Sequence, residues 1–352
     1  MRLLALSLGG LALALAIASS VAARPGRGSR TDSNARLDRN DECIACHADI
    51  AREWSHSLHR QSFEDPMFQA ALARERKVEF CRSCHAPESD PRREPTVREA
   101  AAGVACVTCH LDGKDAAVLA GPSSRAGADD REVPHALRRT AELASPEACA
   151  GCHEFWFPSG GRAGHQLKMQ RTLSEHEHSE LADRSCQSCH MPPARSDGAV
   201  HHDHGFTVVG EPRMLRAAVA IEATRPEPGR VVIELRPRAV GHAFPTGDLF
   251  RRLVVELHAD DGSWSTQRVL AREFVDQRVG HGQLIRVERS DERVGVGRGP
   301  RVVEFELPAE LHARPLRWVL VYERALEDAR GSRWQADLWD RTPFAEGELP
   351  IE

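Results

Sequence analysis

Hydrophobic and polar positions along this 352-residue chain change pattern near residue 211. Before it, apolar residues recur at helical spacing only in short stretches, such as Phe68 to Val78 and Leu167 to Asp183, which predict short helices. Polar breaks such as Pro87 to Pro95 and Gly121 to Asp130 divide them. After it, alternating or β-branched runs predict strands over Ala217 to Ala223, Arg230 to Leu235, Arg252 to His258, Trp264 to Glu273, Arg301 to Leu307 and Leu316 to Tyr322. Glu227-Pro228-Gly229 and Asp260-Asp261-Gly262 are turn signals between them. The pattern reads as α+β: a mainly helical or irregular domain over 41–210, then an antiparallel β-sandwich-like domain over 211–352.

Two segments precede these. Residues 1–23 pattern as a secretory signal peptide, with Arg2 as the charged start, Leu3 to Ile17 as the apolar run and Val21-Ala22-Ala23 as the cleavage site. An uncleaved anchor is the alternative, because the run approaches membrane length, but its Ala/Gly content and cleavage site favour removal. Residues 24–40 are polar without periodicity and read as a flexible lead-in. Export puts the chain in the periplasm or on the outer surface. The net charge of -5, or -6 once Arg2 leaves with the leader, gives no basis for a nucleic-acid partner. Aromatic content is only 5%, low for a large core.

Chemistry enters with the ten cysteines, all of which fall in five Cys-x-x-Cys-His motifs: Cys43, Cys46 and His47; Cys81, Cys84 and His85; Cys106, Cys109 and His110; Cys149, Cys152 and His153; Cys186, Cys189 and His190. This is the attachment signature of c-type haem, in which two thiols bond the haem and the histidine is the proximal iron ligand. Zinc sites would not require a histidine after every second cysteine, and five identical short disulfide loops would be poor staples for a long chain. The motifs therefore predict five covalently attached haem c groups. Porphyrin faces also account for the low aromatic content.

Of 18 histidines, thirteen remain for the distal side of the irons. His56 and His59 share a helix face after the first motif. His135 precedes the fourth motif. His201, His202 and His204 cluster after the fifth, and bind either a divalent metal or haem iron. His242 lies in the loop Gly241-His242-Ala243-Phe244-Pro245-Thr246-Gly247, placed to press an imidazole from the β-domain onto a haem. His165, His176 and His178 compete for the remaining place, while His258, His281 and His312 read as bland. Methionine is the rival ligand, with Met67, Met169, Met191 and Met214 available; the surplus of histidine predicts mostly bis-histidine irons.

These motifs, with Trp54-x-x-Ser57-x-His59, Gly103-Val104-Ala105-Cys106, Cys189-His190-Met191-Pro192 and the Gly241 to Gly247 loop, resemble the multihaem cytochrome c-554-like family over about residues 41–250. The resemblance implies closely stacked haem pairs and electron transfer between periplasmic partners. It also implies distal roles for His59, His135, His176, His204 and His242. The chain departs from the founding family member by one additional haem motif.

The expected function is single-electron relay between redox proteins of unknown identity, with association to a membrane-bound or outer-membrane electron-transfer complex as a further expectation. The enzyme alternative is a multihaem reductase or oxidase of small nitrogen or sulfur compounds with one open haem. No Cys-x-x-Cys-Lys occurs, and the only tyrosine, Tyr322, falls in the β-domain, so no catalytic residue is assigned. A docking subunit wired by its haems is the third class.

Overall fold

The computed structural model describes residues 33–75, 77–111, 117–122, 134–156, 168–196, 199–206, 211–280, 282–297, 299–326 and 337–351. The leader, the lead-in as far as residue 32, His165 and His281 lie outside them.

Short helices carry the first part of the chain. They are α1 (Ser33–Cys46), α2 (Ala48–Ser55), α3 (Pro66–Leu72), α4 (Val78–His85), α5 (Val97–Ala102), α6 (Cys106–His110), α7 (Glu147–His153), α8 (Thr172–Glu177) and α9 (Cys186–His190). The flexible lead-in expected over 24–40 has ended by Ser33, where α1 begins. Leu37 packs with Ala102, Ala105 and Val107, and the buried Asn40 side chain accepts Cys106 N–H at 2.9 Å. Tertiary contacts with the third motif thus order a segment whose own sequence has no periodicity. The helical stretch expected from Phe68 to Val78 is two helices, broken after Leu72 at a polar run.

Small sheets stand between the helices. β1 (Val118–Ala120) and β2 (Leu137–Arg139) pair in parallel, whereas β3 (Glu154–Trp156) with β4 (Lys168–Arg171) and β5 (Pro193–Ser196) with β6 (Ala199–His202) are antiparallel. The helix expected over Leu167 to Asp183 is therefore a strand followed by the short α8. Tertiary bonding overrides its helical spacing: Arg272 donates to the carbonyls of Lys168 and Met169 at 2.7 and 2.9 Å.

After α10 (Pro212–Ala218) the chain is built of strands: β7 (Val219–Glu227), β8 (Arg230–Pro237), β9 (Arg251–Ala259), β10 (Ser265–Leu270), β11 (Arg272–Val279), β12 (Gln283–Asp291), β13 (Arg301–Glu306), β14 (Leu316–Leu326) and β15 (Asp337–Leu349). One sheet runs β10-β9-β14-β15, a second β13-β8-β7, and β11-β12 form a hairpin. The run expected as one strand over Trp264 to Glu273 splits at Ala271, where the chain leaves the first sheet for the hairpin. The two larger sheets share one apolar cluster that includes Val231, Ile233, Leu253, Leu257, Phe305, Leu320 and Phe344. The chain is mixed α+β.

Burial is unequal between the two regions. The helical region has only small clusters, such as Phe63, Leu72 and Ala86, against the large shared cluster of the strands. Protein lacking attached haem is expected to lose its helical circular-dichroism signal and keep its β-sheet signal; joint loss of both would contradict this. Leu257 is fully buried between the sheets. Leu257→Ala should lower the unfolding free energy of the β-domain by about 2–5 kcal/mol, read as an earlier thermal or urea midpoint.

Candidate functional site

Each motif sits at a helix end. Cys81, Cys84 and His85 close α4, Cys149, Cys152 and His153 close α7, and α6 and α9 are themselves Cys-x-x-Cys-His. Cys43 and Cys46 end α1, with His47 next in the chain. Positions three apart share a helix face, so each motif presents two thiols to one side. All ten cysteines are free. His85 and His110 donate through Nδ1 to the carbonyls of Ser62 and Leu119 at 2.7 and 2.8 Å. Such bonds fix the ring and leave Nε2 for a metal.

Four of the five motif histidines face a second imidazole. His47 and His135 have ring centres 6.3 Å apart, His59 and His153 6.2 Å, His110 and His204 6.1 Å, and His190 and His242 6.1 Å. With metal–nitrogen bonds of about 2 Å, two rings on opposite sides of one metal have centres roughly 6 Å apart. The chemistry of these donors fits haem c. His204 and His242 occupy Nδ1 by donating to the carbonyls of His202 and Ala243, at 2.6 and 3.0 Å. The buried Nδ1 of His135 has no hydrogen-bond partner among the described residues. Burial, with the neighbouring His153, His204 and His85, pushes His59 down to about 4. Burial also pushes His242 to about 4, against its bond to the Ala243 carbonyl. Both rings therefore stay neutral at physiological pH, the form that ligates iron.

Local packing explains why these rings stand where they do. Trp54 donates to the Val104 carbonyl at 2.8 Å, and the buried Ser57 hydroxyl donates to Trp54 O at 2.7 Å and accepts Arg60 N–H at 3.2 Å. This frames His59. Gly103, at φ +52°, approaches so closely that a Cβ there would lie 2.5 Å from the His59 carbonyl oxygen. Glu53 accepts His204 N–H at 3.0 Å and His201 Nε2–H at 2.9 Å, so His201 is tied to a carboxylate. His202 donates to Met191 O. Among the described residues no three His, Cys, Asp or Glu side chains gather as a free metal site.

Two expectations have no counterpart in the ring geometry. His176 faces no motif histidine: its Nδ1 lies 3.0 Å from Gly241 O and its Nε2 2.8 Å from Arg184 O, so both nitrogens meet carbonyls. Second, His85 has no opposing imidazole among the described residues. Phe68 stacks on it at 3.7 Å and 9°. His56 and His178 each bond a carbonyl of their own helix through Nδ1, and His165 lies outside the described residues. Phe68, Phe206 (4.2 Å from the His59 ring) and Glu53 were missed from sequence, because nothing but their folded neighbours distinguishes them.

The motifs also cluster. Cys149 lies against Cys186 and Cys152 against Cys84, while Cys109 acts on both Cys149 and Cys152, and Cys43 on Cys106. The fourth motif therefore adjoins the second, third and fifth, and the third adjoins the first.

The β-domain docks on this region through buried ions. Arg293 donates to Asp291 and, at 2.5 Å, to Glu175, and Arg171 bonds both Asp291 and Glu175. Farther along the interface, Arg324 donates to Asp65 at 2.8 Å.

A family model described as cytochrome c554 and c-prime matches residues 42–111, which hold the first three motifs. Over this segment the chain is similar to the c-type cytochromes of that family, a likeness that suggests covalently bound haem c and haem-based electron transfer. No curated relative matches the chain.

The docking ions carry a pH dependence. Burial raises the Asp291 carboxyl, but the bonds and charge of Arg293, with the charge of Arg171, outweigh it and hold the group below its ordinary value. A depressed carboxylate stabilises above its unfolded pKa and loses that contribution as pH falls through the folded one. Asp291 and Arg293 side chains are only 5% and 4% exposed. Asp291→Asn is therefore expected to cost about 3 kcal/mol at neutral pH. The gap from wild type should shrink below about pH 4, as thermal midpoints across pH would report.

Proposed function

We propose that this chain is an exported pentahaem c-type cytochrome that relays single electrons between periplasmic or outer-surface redox proteins. Cys43, Cys46, Cys81, Cys84, Cys106, Cys109, Cys149, Cys152, Cys186 and Cys189 hold the haems, and His47, His85, His110, His153 and His190 are the proximal ligands. The observation that carries this reading is the set of four imidazole pairs at 6.1–6.3 Å. On it, His135 serves the iron of His47, His59 that of His153, His204 that of His110, and His242 that of His190. The haems supply one-electron chemistry when bound. The chain's own residues fix the ring tautomers, space the motifs and exclude water. The contiguity of the motifs supports passage from one haem to the next, with the first, second and fifth at the ends of that set of contacts.

One observation favours a second reading alongside the relay. His85 faces no second imidazole among the described residues, which supports an open iron there and the binding, reduction or oxidation of a small nitrogen or sulfur compound.

Electron paramagnetic resonance of the oxidised holoprotein separates these readings. We expect four low-spin haems and one high-spin haem. His59→Ala, His135→Ala, His204→Ala and His242→Ala should each convert one further haem to high spin. Five low-spin haems, with one lost in His165→Ala, would instead assign His165 to the His85 iron and end the open-site reading.

A further inference from the structure

The segment Thr172-Leu173-Ser174-Glu175-His176 sits between the two halves of one ring pair. His176 joins Gly241 O, at the start of the loop that carries His242, to Arg184 O, two residues before the motif that carries His190. Gly241 is close-packed against it: a Cβ there would lie 2.9 Å from His176 Nδ1. The neighbouring Glu175 grips the rest of the loop. Its Oε2 accepts Thr246 Oγ1–H at 2.7 Å and Ala243 N–H at 3.3 Å. Its Oε1 accepts Arg293 Nη2–H, and Arg293 Nη1 donates to Pro245 O at 3.0 Å. Loop residues on both sides of His242 are thus held, as is the backbone leading to His190. These bonds span the domain boundary.

We propose that Glu175 and His176 form a positioning clamp that sets His242 opposite His190 and thereby fixes the axial ligation of the fifth haem. This rests on the reading of His190 and His242 as one iron's ligand pair. The clamp explains the rings' near-parallel arrangement, 14° between planes, with His242 half-buried in a loop that has no regular structure of its own. Ligand geometry of this kind needs support from neighbouring side chains. A histidine seated between two carbonyls on opposite sides of the pair, donating to one and packed against the other, supplies that support without touching iron.

The test uses oxidised holoprotein, with spin state by electron paramagnetic resonance and the midpoint potential of the fifth haem as readouts. Glu175→Gln and His176→Ala are expected to add up to one further high-spin haem and shift that potential. Exogenous imidazole should then close one more haem per molecule in these variants than in wild type. Arg272→Met is the control: it removes docking bonds to Lys168 O and Met169 O without touching the loop, and its spectrum should stay that of wild type. If Glu175→Gln and His176→Ala keep the wild-type spectrum and potential while His242→Ala opens the haem, the clamp is overturned and the ligand pair survives. If Arg272→Met produces the same spectral change, the residues merely hold the domains together, and the clamp is again overturned. If His242→Ala itself changes nothing, the ligand pair was misread and the clamp falls with it.

Discussion

Two imidazoles can share one iron only if their ring centres stand roughly 6 Å apart with lone pairs facing, and the rest of this molecule is arranged around that spacing. No pair that meets it is local. The nearest in sequence, His190 and His242, are 52 residues apart, and the others are farther. Closing loops of that length has an entropic cost that the short helices and two-stranded sheets between the motifs cannot offset by themselves. On the proposed reading the metal closes those loops, and the protein's task is to keep each second ring correctly turned.

The distribution of apolar burial follows from the same constraint. The helical region encloses clusters of a few side chains, too small to hold a domain of its length. The strands enclose a continuous core that needs no cofactor. The second region is therefore a rigid body against which the first is braced. It reaches across through Arg272, Arg293 and Arg324, each of which bonds a carbonyl or carboxylate of the helical region. Buried pairs of this sort add little net stability but specify one orientation strongly, since a shifted domain would strand charges without partners. Orientation is what a ligand carried on the second region requires.

Much of the chemistry was legible in the sequence and much of the local structure was not. The Cys-x-x-Cys-His spacing names its chemistry without reference to fold. His59, His135, His204 and His242 stood out because each lies beside a motif or in a loop of restricted geometry, and each faces a motif histidine. Strands β8 and β13 have alternating burial, β9 and β14 are buried over most of their length, and all four were legible in outline. By contrast, β12 and β15 escaped notice, because polar and charged residues dominate them and the pairing with β11 and β14 defines them as strands. The stretch around Met169 has helical spacing yet pairs as a strand, since Arg272 claims its carbonyls. Tyr322, set aside for lying in the β-domain, folds close to the interface, where its hydroxyl accepts Arg251 Nη1–H at 2.6 Å and Arg251 also bonds Asp248.

His176 shows why residue type and position could not finish the assignment. It is buried, follows Glu175 in the chain, and lies ten residues before the fifth motif. What separates it from His242 is the environment of each ring's two nitrogens. His242 bonds one carbonyl through Nδ1 and turns its other nitrogen to a facing imidazole, whereas His176 meets a carbonyl at each nitrogen. An imidazole with one acceptor beside it keeps a lone pair for metal; one set between two carbonyls has neither nitrogen open to a metal. That distinction depends on carbonyls contributed by residues 184, 241 and 243, and only the assembled fold brings them within reach. The same reasoning marks His85, whose Nδ1 is anchored like that of a ligand but which, among the described residues, faces no second ring. The relay and the open site thus differ in which side chain the fold places opposite each anchored ring.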